Sequence, residues 1–116
     1  LYITDRKKDM IISGGENIYP REVEDVLFSH EAVHSAAVIG IPDKRWGEQV
    51  HAIVVLHPDS TIQEMDLLVY ARDNLAGYKV PKSVEFVEEL PVNATGKVLK
   101  KILREPYWEG HQRQVH

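Results

Sequence analysis

Two segments constrain most strongly what this chain can fold into. VHSAAVIGI at 33–41 and EQVHAIVVLH at 48–57 are separated only by PDKRWG. Both runs are rich in β-branched residues, whose stiff side chains suit a pleated, packed surface. The stretch between them carries turn formers, so the pair is expected to close as a hairpin of central strands.

Other elements arrange themselves around that hairpin. LYIT and DMIIS are short β-prone runs separated by the charged DRKK, and SGGEN reads as a glycine-rich loop. Pro20 opens a helix with Val23, Val26 and Leu27 on one face. Thr61 and Glu64 have capping-box spacing, ahead of Met65, Leu68, Val69, Arg72 and Leu75 at helical intervals, with Gly77 as a stop. SVEFVEEL reads as a last strand. Val98, Leu99, Ile102 and Leu103 read as a last helix, ended by Pro106. The expected fold is α+β: a small, largely antiparallel sheet flanked by helices.

A chain of 116 residues suffices for one domain with one core. The net charge of −4 excludes a global basic field that would draw the chain to nucleic acid. With no cysteine, disulfides, thiolate metal sites and cysteine nucleophiles are excluded, which fits a reducing compartment. No apolar run approaches the ~20 residues needed to cross a bilayer, and no signal peptide is visible. The opening LYITDRKK reads as the inside of a strand, without a methionine. The chain is therefore read as an excised domain with something missing before Leu1.

HEAVH at 30–34 matches the H-E-x-x-H zinc pattern, which needs both histidines on one helical face. Here the match straddles a helix end and a strand start, so His30 and His34 fall out of register and no metal is expected. PVNATGK at 91–97 is not a phosphate-cradling P-loop, because Pro91 and Val98 stand where that pattern needs glycine and a hydroxyl. Two readings of it stay open. Asn93 and Gly96 bend the backbone and Lys97 is solvated, or Gly96 frees the backbone so that Lys97 reaches a ligand oxygen. Gly14 and Gly15 make a tight turn or an anion nest. Trp46, Tyr78, Lys79 and Lys82 pack and solvate, or stack on an adenine and pair with phosphates.

Taken together, DRKKDMIISGGENIYPREVEDVL, VIGIPDKRWGEQVHAIVV, YKVPKSVEFVEELPVNATGK and LKKILRE resemble, in that order, the C-terminal domain of the acyl-adenylate-forming enzymes. The wording of IISGGENIYP and GEQVHAIVV is similar to the AMP-forming acyl-CoA synthetase branch, fatty-acyl or aryl CoA ligases. The resemblance spans about residues 1–107, leaving 108–116 as a frayed tail.

The resemblance implies a ligase of two half-reactions. A carboxylate attacks the α-phosphate of ATP, and the thiol of coenzyme A then displaces AMP. It implies ATP and coenzyme A as substrates, Mg2+ accompanying ATP with no ligand from this chain, and a cytoplasmic enzyme. It also implies a large N-terminal domain as partner, holding most of the acid and ATP, against which this domain rotates. The isolated domain would fold and be inactive.

The resemblance also assigns residues. Lys97 would be the adenylation lysine, Arg6 would contact the nucleotide and Lys8 would be the hinge, with Asp5 in place of a usual glycine. Gly14, Gly15 and Glu16 would line the pantetheine tunnel. Trp46, Tyr78, Lys79 and Lys82 would hold the coenzyme A nucleotide, although Val80 departs from relatives with arginine there. The Pro-x4-Gly-Lys form is similar to the acetylation site of some bacterial acyl-CoA synthetases, implying a protein lysine acetyltransferase acting on Lys97. A carrier-protein thiol in place of coenzyme A, or a non-catalytic α+β binding module, are the alternatives.

Overall fold

The computed structural model describes residues 10–45 and 47–109. LYIT, DRKK, Trp46 and the segment 110–116 lie outside the described residues. Ile11–Ser13 (β1) and Glu16–Ile18 (β2) form an antiparallel hairpin in the register Ser13 to Glu16 and Ile11 to Ile18. Pro20–Phe28 (α1) follows directly, with its proline in the first turn and Pro20, Val23 and Leu27 buried. Val33–Asp43 (β3) and Gly47–Leu56 (β4) form the long antiparallel hairpin the sequence predicts, paired from Val33–Leu56 to Asp43–Gly47, but only β4 is central and β3 is an edge strand.

Glu64–Asn74 (α2) then carries the chain across the sheet, so that Ser83–Phe86 (β5) pairs with β4 in parallel. A parallel neighbour cannot be reached by a tight turn and needs such a crossover. Lys100–Trp108 (α3) is the last helix. The strand order is β2-β1-β4-β3, with β5 also on β4. Thus β3 takes one edge of β4, while β1 pairs at Gly47 and β5 at His51–Val54. The sheet is largely antiparallel, as expected.

Helices cover both faces. Val38, Val50, Ala52 and Val54 pack with Val23, Leu27, Leu67 and Ala71 on the α1–α2 side. Ile39, Ile41 and Ile53 pack with Leu103 and Tyr107 on the α3 side. Strands buried on both faces need apolar residues at nearly every position. That is why β3 and β4 read as continuous β-branched runs rather than as alternating patterns.

Several local expectations are corrected. The N-cap of α2 is Gln63, whose N–H is accepted by Asp66 Oδ2 at 2.9 Å, in place of a Thr61–Glu64 box. The Glu64 carboxylate instead accepts the Val84 N–H of β5 at 3.2 Å. The buried face of α2 is Leu67 and Ala71, while Met65 and Val69 are 60% and 43% exposed. Pro106 does not end α3 but sits inside it. It removes one main-chain donor near the helix end, and that turn is held from outside. Trp108 Nε1 donates to the Gly40 carbonyl at 2.8 Å and Tyr107 Oη to Glu85 at 2.6 Å. No helix among the described residues is long and apolar enough to cross a membrane.

Candidate functional site

PVNATGK folds as a small closed loop. The Leu99 N–H donates to the Pro91 carbonyl at 2.8 Å, Val92 pairs with Val98, and the Asn93 N–H donates to the Lys97 carbonyl at 2.9 Å. The Gly96 N–H returns to the Asn93 carbonyl at 2.9 Å, and Gly96 itself has φ +87°. A turn followed by a left-handed residue is the usual form of a short hairpin loop, and glycine adopts that φ without a Cβ penalty. Lys97 follows it, exposed, at the tip. The loop lies beside the far end of the long hairpin, where Gly96 and Val98 share a groove of about 320 Å³ with His34, Ser35, Val55 and Leu90.

The glycine turn lies at the other end. Gly14 and Gly15 have φ of +59° and +86°, the two left-handed residues of a tight two-residue hairpin. The glycine-rich loop is therefore only these two residues, since Glu16 and Asn17 belong to β2, with Glu16 exposed. Ser13, just before the turn, pairs with Gly47 at the start of β4. Glu48, itself buried, reinforces that junction by accepting the Ile12 N–H at 3.0 Å.

Tyr78 and Lys79 lie on a single 3-10 turn, Gly77–Lys79. The ammonium of Lys79 is 5.6 Å from the Tyr78 ring centroid and bonds both Glu22 carboxylate oxygens, at 2.8 and 3.0 Å. Its hydrogen bond to Glu22 holds the Lys79 pKa above the ordinary lysine value. Sequence reasoning missed Glu22, because nothing local links residues separated by half the chain. Lys82 is exposed, and its N–H donates to the Val50 carbonyl at 2.9 Å. The main chain of Lys82 thus meets the β4 half that carries the glycine turn, whereas Gly96 and Val98, which flank Lys97, share their groove with Val55 in the other half. A strand rises about 3.3 Å per residue, so Gly47 and Val55, the β4 residues beside the two turns, stand roughly 26 Å apart along the strand. Arg6, Lys8 and Trp46 lie outside the described residues.

The remaining titratable groups belong to other tasks. His30 follows α1 and packs edge-on against Tyr70, while His34 lies in β3 and packs against His57, so HEAVH does not share one face. Among the described residues no group of three or more His, Asp or Glu is placed to hold a metal.

Sequence reasoning also missed a polar brace beneath α3. His51 Nδ1 meets Ser83 Oγ at 2.6 Å, and Nε2 meets Glu85 at 3.3 Å and the Tyr107 hydroxyl at 3.2 Å. The Tyr107 hydrogen bond lowers the Glu85 pKa, while burial and the Glu85 carboxylate push the Tyr107 phenol up to about 12. Ser83, His51 and Glu85 hold a Ser–His–acid composition. They are cross-strand neighbours under a tyrosine, with His51 only 5% exposed. The set ties α3 to the sheet.

Residues 22–97 match the family model described as AMP-binding enzyme C-terminal domain. The chain is 55% identical over 103 residues to a feruloyl-CoA synthase from Amycolatopsis sp, covering 89% of this chain and 21% of that protein. It is 52% identical over 110 residues to a long-chain-fatty-acid–CoA ligase from Bacillus subtilis (strain 168), covering 95% of this chain and 20% of that protein. Among solved structures it is similar to a Mycobacterium tuberculosis fatty acyl CoA synthetase, with a TM-score of 0.82 and 48% identity over 90% of this chain and 21% of the other. The chain thus spans about a fifth of the length of the proteins it matches. With the family match, these relatives and the two-faced α+β sheet in agreement, the chain belongs to the AMP-binding enzyme C-terminal domain family.

Proposed function

We propose that this chain is the mobile C-terminal domain of an ATP-dependent, AMP-forming acyl-CoA ligase, and that it serves the two half-reactions from opposite ends of β4. The observation that carries this reading is the separation of the Lys97 loop from the Gly14–Gly15 turn. Two loops beside β4 residues roughly 26 Å apart along the strand cannot both enter one active site in a single pose. A rotation between the domain and its partner domain presents them in turn.

In the first step a carboxylate oxygen attacks the α-phosphorus of ATP and pyrophosphate leaves. Lys97 supplies a positioned ammonium to the negative charge gathered between the reactants. Arg6 contacts the nucleotide and Lys8 is the hinge. Mg2+ enters as part of the ATP substrate. In the second step the coenzyme A sulfur attacks the acyl carbon and AMP leaves. The main chain of Gly14 and Gly15 lines the pantetheine path with Glu16 at its edge, because side chains there would narrow it. Trp46, Tyr78, Lys79 and Lys82 receive the coenzyme A nucleotide. Lys79 meets a phosphate only by exchanging Glu22 for it, so it contributes less than an already available cation.

The acid is selected elsewhere. Relatives named for feruloyl and for long-chain fatty acids are similarly identical to this chain, which supports a domain that serves the chemistry and not the choice of acyl group.

The test is Lys97→Ala in the full-length enzyme. Pyrophosphate release should fall by about 10²–10³, the usual loss for one electrostatic contact to a developing charge. Thioester formation from supplied acyl-adenylate should persist. Acetylation of Lys97 by a lysine acetyltransferase removes the same charge and should reproduce that pattern. Survival of both steps in Lys97→Ala would overturn the assignment. Running the second step with coenzyme A and with a carrier-protein thiol identifies the acceptor.

A further inference from the structure

Lys97 acts at the end of a flexible side chain, so what fixes its backbone fixes its reach. Both main-chain polar groups of Lys97 are bound by one residue. Its N–H donates to Asn93 Oδ1 at 3.0 Å, and its carbonyl accepts the Asn93 N–H at 2.9 Å. The same Oδ1 accepts the Thr95 N–H at 2.9 Å and the Thr95 hydroxyl at 2.7 Å, and the Asn93 carbonyl accepts the Gly96 N–H. Asn93 therefore holds Thr95, Gly96 and Lys97 together, through five hydrogen bonds. It faces away from the buried core and is exposed. Its side-chain bonds all fall on Thr95 and Lys97, so they organise the loop tip that carries the lysine.

We infer that Asn93 is a positioning residue for the adenylation half-reaction. Its side-chain carbonyl sets the direction in which Lys97 leaves the loop, without touching substrate. This rests on the reading of Lys97 proposed above. Displacement of a reacting group by about 1 Å can cost up to 10²-fold, and an exposed loop losing three side-chain hydrogen bonds is free to move by that much.

The experiment uses the full-length enzyme with Asn93→Ala, Asn93→Asp, Lys97→Ala and the Asn93→Ala/Lys97→Ala double variant. Pyrophosphate release and thioester formation from supplied acyl-adenylate are measured separately. Asn93→Ala is expected to lower the adenylation kcat by roughly 10- to 100-fold, with KM for ATP and acid little changed and the thioester step intact. Asn93→Asp keeps the acceptor oxygen and should recover most of the loss. The double variant should be no slower than Lys97→Ala, because residues acting through one group are not additive. Asn93→Ala with normal adenylation, an equal loss in both steps, no recovery in Asn93→Asp, or full additivity with Lys97→Ala would each overturn the inference. If Lys97→Ala itself leaves adenylation intact, the reading of Lys97 fails and this inference with it. If Lys97→Ala collapses adenylation and Asn93→Ala does not, only the role of Asn93 fails.

Discussion

At the scale of single residues, one partly buried carboxylate, that of Glu24 in α1, serves two other elements at once. One oxygen, Oε2, accepts the Val38 N–H on the outer edge of β3 at 2.9 Å and meets Lys100 Nζ at 2.6 Å. Its carboxylate so caps an edge strand that would otherwise present an open donor, and ties α1 to the first turn of α3. Both side chains are mostly buried. Glu24→Ala leaves a shielded ammonium and a strand N–H without this acceptor, so denaturation should show a loss of about 2 kcal/mol. The exposed Arg21–Asp25 pair, at 3.8 Å, should cost no more than about 0.5 kcal/mol when broken.

Tyr107 gives a pH signature. Its phenol is raised from an ordinary 10.0 to about 12 in the folded chain. The stabilisation from its neutral form is complete below pH 10 and is lost as pH rises through about 12. The Glu85 carboxyl is lowered from 4.5, so its contribution is present above pH 4.5 and is lost as pH falls through its folded value. Tyr107→Phe should therefore destabilise most between those limits. Its stability curve should converge on that of the parent chain at both extremes, as read by denaturation across pH.

Among the elements, the glycine turn, the long hairpin and α1 were legible in the sequence, because each is set by neighbours in the chain. Paired glycines, β-branched runs and a proline at a helix start act locally. What was misread depends on tertiary partners. The face of α2 follows Leu67 and Ala71, which pack into the core on the sheet, and the position of Glu64 follows from the β5 donor it serves. Pro106 stays helical because the side chains of Tyr107 and Trp108 hold the turn beyond it. The Glu22 partner of Lys79 and the His51 brace join distant segments, and no spacing announces them. At the glycine turn the strain is in the backbone alone. A Cβ at Gly15 would meet nothing within 4 Å, yet φ is +86°. Gly15→Ala should cost about 1–2 kcal/mol through that torsion. With Gly15 lining the pantetheine path as proposed, the same change in the full-length enzyme should slow the thioester step and spare adenylation, a split visible in the two half-reaction assays.

For the whole molecule, the lasting feature is that β4 carries unlike equipment at its two ends. Under the proposed two-step reading, a defect at the Gly14–Gly15 end and a defect at the Lys97 end should leave each enzyme able to perform the half that the other lacks. A mixture of Lys97→Ala and Gly15→Ala enzymes can then complete turnover only through acyl-adenylate that escapes one molecule and is captured by another. If the mixture makes no more thioester than the two variants separately, the intermediate is passed on without leaving. A recovered rate that climbs with protein concentration would put a number on its leakage. The geometry of a single strand becomes, in this way, a meter for how well a two-step enzyme guards its reactive cargo.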